Sequence, residues 1–233
     1  MAALEEILRS QPVWRGGALA GNVAALSSGF QDLDEALPGG GWPRQGFTEV
    51  LNDRAGVGEL SLILPALAAL TRGGKRAVLV APPHIPYAPA LAAAGVDLVN
   101  LLVVTAGRQD ALWAAEQALR SGGCHALAAW PAKARYAELQ RLAVAAEASR
   151  AVAFLYRPRA AADESSPACL RLALEPAGAE LAVHILKRRG APLAAPLLLP
   201  LKRPFHAVGR ASPPRASAGN AGNARRLGLP VHA

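Results

Sequence analysis

The chain has little cysteine, few aromatic residues and a deficit of acidic side chains, and each shortage removes a class of explanation. Its two cysteines, Cys124 and Cys169, stand in no metal-ligand spacing and are too few for a disulfide framework. They read as buried or incidental thiols of a reducing compartment. Aromatic residues make up 5% of the chain. Trp14, Trp42 and Trp113 are too far apart in sequence for a base-stacking platform, so a core or interface role is expected for each. His84, His125 and His184 are scattered without ligand spacing, which argues against a metal centre. No stretch approaches about 18 uninterrupted apolar residues, and the first residues lack a basic region followed by an apolar segment and a cleavage site. A cytoplasmic protein is the expectation.

The acidic deficit is local. Against a formal charge of +8, residues 202–233 carry Lys202, Arg203, Arg210, Arg215, Arg225 and Arg226 and no Asp or Glu. The same stretch is rich in Pro, Gly, Ser, Ala and Asn and has no apolar period, which predicts a tail that is disordered when free. Such a tail either meets nucleic acid or an acidic partner, or serves as a solubilising extension. Both readings stay open.

What is present is ample apolar content, 52% of 233 residues, enough for one domain with a buried core. The sharpest local feature is Asp53-Arg54-Ala55-Gly56-Val57-Gly58-Glu59-Leu60. Phe47 to Leu51 is β-rich, and Leu60, Ile63, Leu64, Leu67 and Leu70 then follow helical spacing up to Gly73-Gly74, so the stretch reads as strand, glycine turn, helix. That is the setting of a phosphate loop, in which backbone N–H groups cradle phosphate, a lysine reaches the terminal phosphates and a Ser or Thr hydroxyl holds magnesium. Here Glu59 stands at the lysine position and Leu60 at the hydroxyl position. A carboxylate facing a triphosphate at ~4 Å is repelled by roughly 4 kcal/mol at an effective dielectric of 20. The plain alternative is that Asp53, Arg54 and Glu59 form a local surface ion network.

Further along, strand and helix alternate. Strands are expected at Ala77–Ala81, Leu101–Val104, Ala126–Ala129 and Ala151–Tyr156, and helices at Tyr87–Ala94, Asp110–Arg120 with Asp110 as N-cap, and Ala134–Ser149 with Tyr136, Leu139, Ala143 and Ala146 on one face. This order predicts an α/β fold with a mostly parallel central sheet covered on both faces. After Pro158 the runs Leu170–Leu174 and Leu181–Leu186, with a turn at Pro176 to Gly178, predict an antiparallel hairpin at the sheet edge. Lys187-Arg188-Arg189-Gly190 follows as a compact basic cluster, a candidate for phosphate contacts with DNA or an ordinary solvated hairpin end. Residues 1–25 begin with an amphipathic stretch, Leu4, Ile7 and Leu8, broken at Pro12, and read as a small docking arm and linker.

Several strings in the right order carry a family resemblance. Leu26-Ser27-Ser28-Gly29-Phe30-Gln31-Asp32-Leu33-Asp34-Glu35-Ala36-Leu37, then Gly39-Gly40-Gly41-Trp42-Pro43, resembles the lead-in to the phosphate loop of the RecA recombinase family. Gly95-Val96-Asp97-Leu98-Val99-Asn100-Leu101-Leu102 is similar to a second segment of that family. Within it the chain most resembles the shortened ImuA branch associated with translesion DNA synthesis, over roughly 26–201. The resemblance implies a RecA-like three-layer fold. Carried across residue by residue, it places the family's phosphate lysine at Glu59, its magnesium hydroxyl at Leu60, its water-activating carboxylate at Pro83 and its second magnesium-associated acid at Trp130. Phosphoryl transfer needs positioning and charge neutralisation together, so the expectation is a protein that is not an ATPase and needs no cofactor. Trp130 with Pro131 reads as a cap that fills the vacated nucleotide space with apolar area. The resemblance further implies a cytoplasmic accessory factor of SOS mutagenesis that binds RecA and an inactive ImuB-type polymerase-like partner, and through it an error-prone replicative-type polymerase. A cell-division inhibitor of the SulA kind, binding FtsZ, is the alternative on a similar scaffold.

Overall fold

Apolar strands and amphipathic helices alternate in this chain because each layer needs the next to cover its apolar face, and the outcome is three layers. The computed structural model describes residues 25–53, 56–190, 193 and 195–201. The expected N-terminal arm, Trp14, Arg54 and the basic tail lie outside the described residues.

In chain order the elements are β1 (Ala25–Leu26), α1 (Gln31–Ala36), β2 (Trp42–Pro43), β3 (Phe47–Asn52), α2 (Glu59–Arg72), β4 (Ala77–Val80), α3 (Ala88–Ala93), β5 (Leu101–Val104), α4 (Ala111–Arg120), β6 (Ala126–Ala129), α5 (Tyr136–Ser149), β7 (Val152–Pro158), β8 (Leu170–Ala177), β9 (Glu180–Lys187) and β10 (Leu197–Pro200). Eight strands form the main sheet in the order β10-β9-β8-β3-β7-β6-β4-β5, and β1 and β2 form a small antiparallel pair. The pairings from β8 through β3, β7, β6 and β4 to β5 are all parallel, whereas β9 runs against both β8 and β10.

The side-chain period of two assigns the faces of β3. Val50 packs with Leu62, Ile63, Ala66 and Leu67 of α2 on one side, while Phe47 joins Ala111 and Leu112 of α4 and Leu139 and Leu142 of α5 on the other. All four residues of β4 and of β6 are buried, as continuous apolar strands between two helical layers must be. Three expectations need correction. The hairpin β8–β9 is internal: β8 pairs with β3, and β10, which sequence reasoning missed, pairs outside β9 and forms the edge. Its brevity and its proline hid it among loop residues. Asp110 makes no side-chain cap to α4. On α5 the buried face is Leu139, Leu142, Ala145 and Ala146, and Tyr136 lies half-exposed at the first turn.

The odd residue on the α5 side of β3 is Glu49, which is 0% exposed. Its two carboxylate oxygens accept from Arg157 on β7 at 2.9 Å and from Arg171 on β8 at 2.6 Å. Arg171 also donates to the carbonyls of Ala161 and Ala162 at 2.5 and 3.0 Å, and Arg157 to Glu164 at 2.5 Å, so the pair of guanidiniums ties the 3-10 segment Arg159–Asp163 down onto the sheet. Removing one partner from a buried ionic cluster leaves uncompensated charge. Glu49→Ala is therefore expected to lower unfolding stability by about 3–5 kcal/mol, whereas Glu164→Ala at the exposed end should change it by less than ~1 kcal/mol. Urea unfolding of the two variants beside the parent chain measures both.

Candidate functional site

The carboxyl ends of the parallel strands are where open α/β sheets place their sites, and the four positions singled out in the sequence all gather at that edge. The glycine loop leaves the end of β3 and enters α2, Trp130 follows β6 directly, and Pro83 lies exposed beyond β4. Gly58 holds the N-cap of α2 with φ of 103°. That left-handed conformation suits glycine alone, because a side chain there would clash with its own carbonyl. It aims the loop's N–H groups inward, toward the position an anion would take.

That position is filled by the chain itself. The Glu59 carboxylate accepts from the N–H of Gly56 at 2.9 and 3.0 Å and from the N–H of Gly58 at 3.1 Å. Glu59 is buried, so the surface ion network considered above is not formed by it. Burial of a charge is tolerable here because its oxygens meet backbone donors at the positive end of a helix. The Tyr156 hydroxyl, from β7, donates to the Glu59 carbonyl at 2.9 Å. Burial first, and the nearby Glu59 charge second, hold that phenol well above its ordinary pKa, so it remains a donor.

Around this centre the space is apolar. Trp130 stacks on Tyr156 with ring centroids 4.6 Å apart and planes 2° from parallel, and it is 7% exposed. The expectation that Trp130 caps the sheet agrees with this packing. Leu201, beyond β10, closes the loop from the other side: a methyl group added to Gly58 would lie 2.3 Å from its Cδ1. Leu60 is partly buried against the same core. Tyr156 and Leu201 went unnoticed in the sequence. Tyr156 looked like the end of a buried strand, and the available cue was Glu59 itself, an acid in the first helical turn beside glycine donors.

The basic candidates are not brought together. Lys187 pairs with Arg171 at the start of β8, so the cluster sits at the amino end of the parallel strands. There Lys187 Nζ donates to the Ser166 carbonyl at 3.0 Å, and Arg188 donates to the Ala36 carbonyl at the end of α1. Arg189 is exposed. Pro200, by contrast, pairs with Glu180 at the opposite end, so the segment bearing Lys202, Arg203, Arg210, Arg215, Arg225 and Arg226 departs from beside the glycine loop, and those residues lie outside the described ones. Asp53 is exposed before the loop. Among the described residues no three of His, Cys, Asp and Glu gather as metal ligands, and no helix is long and apolar enough to cross a membrane.

Two substitutions test this description. Glu59→Lys places a cation against two inward N–H groups and is expected to destabilise the fold by about 1–3 kcal/mol, with Glu59→Gln, which keeps an acceptor, costing less. Gly58→Ala combines an unfavourable backbone with the Leu201 overlap and should cost more than ~1 kcal/mol. Thermal unfolding of the three variants ranks them.

No family model matches the chain. The RecA protein of a Picosynechococcus species is 35% identical over 107 residues, which are 46% of this chain and 30% of that protein. The chain thus spans less than a third of the length of the curated relative it matches. Among solved structures, SulA from Pseudomonas aeruginosa overlays with a TM-score of 0.41 at 26% identity, covering 48% of this chain and 97% of SulA. In sequence, the chain is related to RecA over the matched stretch.

Proposed function

We propose that the protein is a non-catalytic, RecA-like accessory factor of damage-induced translesion DNA synthesis. It acts in the cytoplasm by binding RecA and an inactive, ImuB-type polymerase-like partner, which in turn engages an error-prone replicative-type polymerase. The observation that carries this reading is the Glu59 carboxylate seated on the Gly56 and Gly58 amides. A triphosphate entering the loop must expel a buried anion from its own hydrogen bonds and then meet Leu60 where a hydroxyl would hold magnesium. Neither charge neutralisation nor positioning is then provided. A scaffold related to RecA that gives up phosphate handling yet keeps its sheet and core retains its surfaces, and the proposed mechanism uses them to cap or enter a RecA filament while other surfaces hold the polymerase partner.

DNA contact is a subsidiary part of this reading, supplied by Lys187 and Arg189 at one end of the sheet and by the tail at the other.

Magnesium-ATP is expected to leave the thermal midpoint unchanged, where a specific ligand at ~100 times its dissociation constant would add about 2.7 kcal/mol. Purified protein should sediment with RecA filaments on single-stranded DNA and should be retained by an ImuB-type partner in a pull-down. Binding to neither sinks the proposal, and hydrolysis by the purified chain sinks its non-catalytic part. Truncation at residue 202 should lower both DNA affinity and its salt slope.

A further inference from the structure

A small pocket at the amino end of the sheet has no part in the reading above. Leu37, Pro43 and Leu170 give it apolar walls, Cys169 lies among them, and Arg188 and Arg189 line it with no carboxylate opposite. Burial raises the Cys169 thiol to about 11, while the charges of Arg189 and Lys187 pull it back down, so the positive field of the basic cluster reaches into the pocket. An apolar hollow rimmed by unmatched cations fits an occupant with apolar side chains next to carboxylates.

The chain contains such a segment, and it joins the body at this place. Leu4-Glu5-Glu6-Ile7-Leu8 sets two acids between apolar residues. The first described residue, Ala25, pairs with the pocket residue Pro43. The contact is close, since a Cβ on the neighbouring pocket residue Gly41 would lie 2.2 Å from the Leu26 carbonyl oxygen. At about 3.3 Å per residue, residues 9–24 reach up to roughly 50 Å, far enough to return to a pocket beside their own point of attachment.

We propose that the segment Leu4–Leu8 docks in this pocket of its own chain, with Leu4, Ile7 and Leu8 against Leu37, Pro43 and Leu170 and with Glu5 and Glu6 paired to Arg189 and Lys187. Docking covers the basic cluster and screens it from phosphate, which makes the segment an internal competitor of any polyanion at that end of the sheet. Because the attachment is intramolecular, occupancy does not depend on protein concentration.

The test is the rate at which N-ethylmaleimide alkylates Cys169 in the full chain, followed by peptide mapping to separate it from the buried Cys124. Glu5→Lys with Glu6→Lys, which lie outside the described body and leave its packing intact, should raise the rate at least fivefold. In a Lys187→Glu, Arg189→Glu background the same two arm substitutions should lower the rate, because the charges again match. An unchanged rate, or an effect of the same sign in both backgrounds, overturns the proposal. Protection that disappears on dilution from 100 µM to 1 µM also overturns it, in favour of the segment of a second copy.

Discussion

The carboxyl edge of the sheet is organised by a single hydrogen-bonding constraint: the inward N–H groups of Gly56 and Gly58 must meet an acceptor, and the Glu59 carboxylate is that acceptor. Backbone donors that converge inside a protein are costly when unmatched. Once Glu59 supplies the acceptor, its carbonyl is fixed within reach of the Tyr156 hydroxyl, Tyr156 presents its ring to Trp130, and the left-handed Gly58 leaves only enough space for the Leu201 side chain. The loop conformation, the aromatic stack and the end of β10 form one chain of contacts that starts from this acid.

The buried charges of the neighbouring strands follow the same logic with other partners. Glu49 is wholly enclosed, yet both oxygens are matched by guanidiniums that are themselves matched to carbonyls and to Glu164. Because parallel strands run in register, β3, β7 and β8 bring one acid and two arginines side by side without any helix taking part. Such an arrangement fixes which three strands are neighbours, since an apolar replacement at any one position would strand the charge on the next.

Most of the layer order was legible because continuous apolar runs such as Ala126–Ala129 and the helical spacing of α2 are properties of nearest neighbours in sequence. What escaped notice was non-local. Glu49, Arg157 and Arg171 are far apart in the chain, and nothing in any one strand announces that they meet. Glu59 was recognised as chemically wrong for phosphate, but its seat on the loop amides depends on backbone dihedrals that residue types only suggest. β10 is four residues long and closes on a proline, so its identity as a strand comes from the partner β9 and not from its own composition. The opposite placement of Lys187 and Leu201 likewise follows from the direction of one antiparallel strand.

That placement has a geometric consequence. β9 spans eight residues from Glu180 to Lys187, a separation of about 25 Å at roughly 3.3 Å per residue. One compact ligand cannot touch both of its ends, whereas a polymer or an assembly can. Perturbations at the two ends share no side chain and lie well beyond the ~10 Å within which substitutions couple, so their free-energy effects on a bridging partner should simply add. The sheet in this sense works as a ruler, setting the distance between two separately adjustable points of attachment.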